Sequence, residues 1–330
     1  LLKLNIKPRT RQRLRTFGMI AMAVLVLVAA WRIYESHRVA ALPKLFGLIE
    51  PSGAMVVEPQ FLYAGDFSEG LAPVKTEKGF GYIDEDGVLV IPARFQEAGP
   101  FSGGLAPVML NDLIGYIGSN GVLQIDPAYP HAGIFAEGLA HVQREDQYGY
   151  IDEQGEIVID FQFLKATPFS EGLAAVSLDE GAGYINHEGE YAIEPVFAGA
   201  APFHDGLAQV MDMEGRRYFI NKEGEEVLEV EGPTDTSFSE GLLAFQEGLE
   251  WGFLDAEGNV AIPAEYQKVR RFSEGLAPAK KGQEWGYIDA EGAWAVEPRF
   301  EQAFPFSQGL ARVRVIVDMP PGGEALPQAP

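Results

Sequence analysis

An all-β repeat fold is what this sequence predicts. Three observations predict it: two glycine series that both step by 34 residues, short apolar runs between them, and 38 glycines with 22 prolines, which leave little room for long helices. The first series is Gly53, Gly87, Gly121, Gly155, Gly189, Gly224, Gly258 and Gly292. The second runs from Gly70 to Gly309 through the recurring Phe-Ser-Glu-Gly-Leu-Ala segment. Each series has one interval of 35, and in both the extra residue falls between Gly206 and Tyr218. Two independent rulers therefore agree on eight units.

The first element is not part of the repeat. Lys3, Lys7, Arg9, Arg11, Arg13 and Arg15 precede an uncharged stretch from Thr16 to Trp31. With Ile33 and Tyr34, and with Arg15 and Arg32 able to snorkel, residues 16–34 are long enough to cross a bilayer as one helix. The expectation is a basic cytoplasmic flank over 1–15, an uncleaved signal anchor over 16–34 and a linker over 35–46. The alternative is a signal peptide cut near Ala30, after the small pair Ala29 and Ala30. Both readings put the rest of the chain outside the cytoplasm, because the basic residues are concentrated before the apolar segment.

Each unit then reads as three strands. Leu71–Val74 is the first, Gly81–Asp84 the second and Val88–Ile91 the third. The Asp-x-x-Gly between the second and third is hairpin chemistry: the acid bonds the backbone ahead of it and glycine accepts positive φ. Pro92, Pro127, Pro195, Pro263 and Pro298 are expected to stop the third strand, since proline cannot donate to a ladder. A three-stranded unit cannot bury its own apolar face, so neighbouring units must cover it. At 34 residues the unit is short for a propeller blade, and the expected arrangement over 47–317 is an open β-solenoid or superhelix of eight three-stranded units. The alternative is a closed propeller-like ring. Residues 318–330 read as a disordered tail.

The stretches FSEGLAPA from Phe272 and EWGFLDAEGNVAIPAEYQ from Glu250 to Gln267 resemble the WG repeat, a family found in bacterial envelope and multidomain proteins. The naming Trp-Gly pair stands only at Trp251-Gly252 and Trp285-Gly286. Phe80, Ile114, Tyr148, Ala182 and Arg217 hold the Trp position elsewhere. The resemblance implies a β-rich module without an assigned chemistry. With a bacterial envelope as the setting, the expected location is the inner membrane in a single pass with the array in the periplasm, or the periplasm itself if the signal is cleaved.

Charge and composition narrow the function. The chain carries a net charge of −23, yet residues 1–45 hold nine Lys/Arg and one acid, so the array is far more acidic than the whole. Such a surface repels a phosphate backbone, which excludes nucleic acid. The absence of cysteine excludes disulfides, thiol catalysis and Cys-based zinc sites. The recurring Asp84, Asp152, Asp255 and Asp289 alternate with Asn186 and Asn221 at one turn phase, which suits turn chemistry and not calcium or acid catalysis. The serine of Phe-Ser-Glu-Gly has no nucleophile-elbow setting and gives way to Ala136 or His204, so it reads as a turn or cap residue. His131, His141, His187 and His204 fall at four different phases and form no ligand spacing. No cofactor is expected, and no enzyme activity.

The expected function is a non-catalytic, envelope-anchored module binding a protein or peptide partner in the periplasm. The alternative is recognition of peptidoglycan or other carbohydrate by the recurring rings, with an enzyme a distant third. A ligand site is expected where a unit departs from its own consensus. Between Gly206 and Gly241, Arg216 and Arg217 enter and Tyr218 replaces the strand glycine. Eleven of the sixteen basic residues beyond residue 45 lie from Arg216 onward. Arg216, Arg217, Tyr218, Trp251, Arg270, Arg271 and Trp285 are the candidate ligand-binding residues, with an anionic or carboxylate-bearing partner held by arginine pairs.

Overall fold

The structure is a computed structural model that describes residues 44–229 and 232–316. The compact body spans Leu45–Val315. It contains strands, turns and bridges, with no helix among the described residues, and none there is long and apolar enough to cross a membrane. The expected transmembrane helix over 16–34 and the tail over 318–330 lie outside the described residues.

The strands form eight small antiparallel sheets, here called blades. Blade I consists of Tyr63–Ala64, Ala72–Thr76, Gly79–Ile83 and Leu89–Phe95, hydrogen-bonded in that order. Blades II (97–129), IV (165–197), V (199–229) and VII (268–300) repeat this plan. In blades III (132–163) and VI (234–266) the first strand shrinks to the single bridges Ala132–Val142 and Thr234–Phe245. Blade VIII is assembled from both ends of the body: Gln302–Ala303 and Ala311–Ile316 join Lys44–Ile49 and Met55–Phe61 in one sheet.

That shared sheet corrects the expectation of an open solenoid. The eight units close into a ring, an eight-bladed β-propeller, because the last repeat lacks its third and fourth strands and the N-terminal segment supplies them. The seam also carries the kind of contacts that recur between other neighbouring blades. The Ser307 hydroxyl donates to the Phe67 carbonyl (2.6 Å), and the Gly70 N–H donates to Gln308 (2.9 Å).

These contacts explain the Phe-Ser-Glu-Gly segment. Ser170, Ser239 and Ser273 each donate to the carbonyl of the corresponding phenylalanine one repeat on, at 2.6–2.8 Å. The acid that follows accepts the glycine N–H of the next repeat: Glu69 from Gly104, Glu137 from Gly172, Glu171 from Gly206, Asp205 from Gly241, Glu240 from Gly275 and Glu274 from Gly309. At Gly103 the acid is missing. The serine is thus a latch between blades, beyond the local turn role read from sequence.

Two further readings change. Each repeat forms up to four strands, because two residues after the aromatic that ends the last strand, such as Glu97–Ala98 after Phe95, pair with the next blade. The prolines do not stop the last strand, which runs Leu89–Phe95 straight through Pro92. Instead a bulge forms there: Phe80 pairs with Phe95 but Tyr82 with Ile91, so two steps on one strand face four on the other. A bulge tolerates a residue without a donor. It also crowds the residue beneath, and this gives the Gly of Trp-Gly its reason. A Cβ on Gly81 would lie 2.5 Å from the Ile91 carbonyl oxygen and 2.7 Å from the Ala93 nitrogen. In blade V, where Tyr218 replaces that glycine, the last strand is only Glu226–Glu229 and pairs residue for residue at Tyr218–Glu229 and Phe219–Leu228.

The core lies between blades. Both recurring aromatics are buried in every unit that carries them, for instance Phe95, Phe101, Phe163 and Phe169. Tyr82, Tyr116, Tyr150, Tyr184 and Tyr287 are fully buried, and each hydroxyl donates to a carbonyl seventeen residues ahead, in the following blade, at 2.7–2.9 Å. Burial raises these phenols well above the usual range. Burying one large apolar side chain contributes about 1.5–3 kcal/mol, against roughly 0.5–1.5 kcal/mol net for a hydrogen bond. The rings therefore hold the blades together, and the latches set their register. The Asp-x-x-Gly turn is as expected: Asp152 Oδ1 accepts from Gln154 and Glu156, and Gly155 adopts φ +84°.

Candidate functional site, a basic groove between blades VII and VIII

Most of the recurrent acids, serines and tyrosines are committed to turns, latches and core, whereas other polar groups break the repeat. A groove of about 520 Å³ lies between blades VII and VIII. Its walls carry four cations, Lys268, Arg270, Lys280 and Arg314, and one carboxylate, Glu301, together with Gln302 and Trp285. Local strand pairing puts them there. Lys268 and Lys280 are direct partners on adjacent strands of blade VII, and Lys280 is also opposite Trp285. Gln302 and Arg314 occupy the same two phases one repeat later.

One phase that lines the groove differs from its counterpart in blade I. In blade I that phase is Tyr63, whose ring packs against Phe46 at 6.2 Å and Phe80 at 5.8 Å. In blade VIII it is Gln302, and Trp285, 6% exposed, is covered by Arg270 instead.

Arg270 is the central cation. Its guanidinium lies over Phe304 at 4.2 Å and over Trp285 at 5.2 Å. Arg312 lies over the same Phe304 ring at 4.0 Å and pairs with Asp66 at 3.3 Å. Arg314 pairs with Glu301 at 3.2 Å. Arg270 has rings but no ion pair among the described residues, and its Nε, like those of Arg312 and Arg314, is buried without an acceptor. Burial, followed by the Arg312 charge, lowers its pKa.

The predicted site residues separate. Arg216, Arg217 and Tyr218 lie in blade V and Trp251 in blade VI. Arg216 is already neutralised: it reaches Glu226 at 2.7 Å, Asp212 at 3.3 Å and Glu229 at 3.5 Å, and stacks on Tyr218 at 4.4 Å. Its hydrogen bond to Glu226 leads the effects that raise its pKa. Arg217 is exposed opposite Met211. Tyr218 packs against the core of blades IV and V, and Trp251 against that of blades VI and VII. Arg271 is exposed beside Arg270. Only Arg270 and Trp285 come together in the groove. Glu301, Gln302 and Arg314 were missed. The signal was present in the repeat phase, where Lys268 and Lys280 are followed by Gln302 and Arg314 at the same positions.

The groove has the chemistry to hold an anion. Its residues hold no serine, histidine or cysteine. Among the described residues no three His, Asp or Glu side chains gather as a metal set.

Solved structures align with this chain at low identity. A eukaryotic initiation factor aligns with a TM-score of 0.51 and 14% identity, over 75% of this chain and 82% of that one. Dihydro-heme d1 dehydrogenase NirN in complex with DHE aligns with a TM-score of 0.49 and 12% identity, over 77% and 72%. PorZ, a bacterial surface component of the type-IX secretion system of Porphyromonas gingivalis, gives 0.42 and 10%, over 72% of this chain and 38% of that one. No curated protein matches the sequence. The profile of the WG containing repeat matches residues 46–79, 80–113, 148–181, 183–215, 251–285 and 285–315. The unmatched stretches include the unit in which Tyr218 takes the place of the strand glycine. Covering more than half of the sequence in the phase that builds the blades, these matches show that the chain belongs to the WG repeat family.

Proposed function

We propose that the ring is a non-catalytic interaction module that binds a protein or peptide partner on the outer side of the inner membrane, tethered through residues 16–34. The observation that carries this reading is the basic groove of blades VII and VIII. It is a recess of binding-site size in a scaffold whose other recurrent polar groups are occupied in folding. Location rests on the basic flank before Thr16 and the uncharged stretch behind it. Alkaline phosphatase fused after Val317 is expected to be active and green fluorescent protein at the same point dark. The reverse pattern overturns the location.

Glycan recognition is the competing class. Sugar-binding repeats present open ring faces, whereas Trp285 is 6% exposed and beneath Arg270, and Trp251 packs on a core cluster. Purified protein should therefore stay in the supernatant when isolated sacculi are sedimented. It should retain an envelope protein that excess free ring displaces. Co-sedimentation with sacculi overturns the reading.

A further inference from the structure

We propose that the groove between blades VII and VIII docks the carboxylates of an acidic peptide segment, with Arg270 as the anchoring side chain. This rests on the reading of the ring as a module for polypeptide partners and names the chemistry of the partner.

The argument begins with the repeat. The phase of Arg270 is held by Gly65, Gly99, Gly133, Thr167, Ala201, Asp235 and Phe304 in the other blades, so folding requires no cation there. A guanidinium placed where the backbone needs none, and partly removed from water, costs free energy unless an anion meets it. Arg312, Arg314 and Arg216 each meet a carboxylate of this chain. Arg270 lies over the rings of Phe304 and Trp285 and makes no ion pair among the described residues, Asp66 being paired with Arg312; its buried Nε, like those of Arg312 and Arg314, has no acceptor.

Shape then selects the anion. The guanidinium carbon lies 4.2 Å from the Phe304 ring and 5.2 Å from the Trp285 ring, and neither ring supplies an in-plane lone pair to the N–H edge of the group. A planar carboxylate accepts two parallel hydrogen bonds from such an edge. Lys268 and Lys280 sit side by side on neighbouring strands, with Cβ atoms about 5 Å apart by the geometry of direct pairs. Two mobile ammonium groups beside one fixed guanidinium match several carboxylates on one strand of peptide better than a single compact anion. The acidity of the rest of the surface adds selectivity, because a long polyanion is repelled outside the groove.

The test uses the full 330-residue chain in mild detergent and fluorescein-labelled hexaglutamate, followed by anisotropy, with labelled hexaserine as control. Hexaglutamate is expected to bind and hexaserine not. Arg270→Gln is expected to weaken binding by roughly tenfold or more, as for loss of a charge-assisted pair, with an unchanged melting temperature. Arg216→Ala should bind as the parent does. If Arg270→Gln fails to fold, the exposed-side double variant Lys268→Gln/Lys280→Gln serves instead, with the same expected loss. Unchanged affinity in the folded variant overturns the proposal. So does displacement by tripolyphosphate at lower concentration than by unlabelled hexaglutamate, or binding to phosphatidylglycerol vesicles that Arg270→Gln abolishes. Capture of an envelope protein that persists in Arg270→Gln removes the groove and leaves the module standing. Co-sedimentation with sacculi removes the module reading itself.

Discussion

Two glycines three residues apart on one strand separate steric need from mere occurrence. Gly115 lies under the bulge at Pro127, and a Cβ there would stand 2.6 Å from the Ile125 carbonyl oxygen, 2.7 Å from the Pro127 nitrogen and 2.9 Å from the Asp126 carbonyl carbon. All three are backbone atoms of a paired strand, so relief requires moving the strand and the buried Ile125 and Tyr129 that flank the bulge. At Gly118, by contrast, the nearest atom is the Asn120 Oδ1 at 3.4 Å. Neither glycine is among the residues with positive φ. Gly115→Ala should therefore cost about 1–3 kcal/mol, the range for overpacking that displaces backbone. Gly118→Ala should be neutral or gain up to about 1 kcal/mol from the stiffer unfolded chain. A free-energy change of 1 kcal/mol moves the midpoint by about 2–4 °C in domains of 150–250 residues. Thermal melts followed by near-ultraviolet circular dichroism should thus place Gly115→Ala several degrees below the parent and Gly118→Ala at or above it. Coincident melts for the two variants would refute the account of the Trp-Gly motif as space for a bulge.

Three other outcomes follow from the same structure. Excising one unit, Gly149–Ala182, should abolish cooperative unfolding, since a closed ring loses its seam; a melt like the parent's would mean that closure at eight blades is not required. Gly155→Val should cost roughly 1–2 kcal/mol in a urea titration, because φ is +84° and valine resists that region; a change within about 0.3 kcal/mol would contradict the turn assignment. Burial lowers the His141 pKa from 6.5 to about 4. Because the folded value lies below the unfolded one, its contribution is intact above pH 6.5 and is lost as the pH falls toward 4. By about pH 5 the loss reaches ~2 kcal/mol. The variant His141→Gln, which copies Gln209 at the same phase, should lose that part of the pH dependence, and equal urea midpoints for parent and variant at both pH values would contradict it.

What was legible from sequence was what is local and repeated. The 34-residue period and the Asp-x-x-Gly turn follow from residue types at fixed spacing, and both are present in the structure. From sequence alone the bulge reads as a strand end, because proline reports a missing donor and not where the chain goes next. The latch role of Ser and Glu was hidden for a related reason: its partner, the next repeat's Phe carbonyl or Gly N–H, lies 33–36 residues away.

Closure and the groove belong to the tertiary structure alone. A repeat pattern states that each unit covers its neighbour, which an open superhelix and a ring satisfy equally. The choice depends on the small rotation between blades, summed around eight, and on whether Lys44–Ile49 can reach Ala311–Ile316. The excess of cations after residue 216 was visible in the sequence, but not which of them are free to act. Folding brings Asp212, Glu226 and Glu229 around Arg216, and gives Arg270 two aromatic rings and, among the described residues, no ion pair. Composition gives the number of charges, and only the assembled ring decides which charge meets a counter-charge.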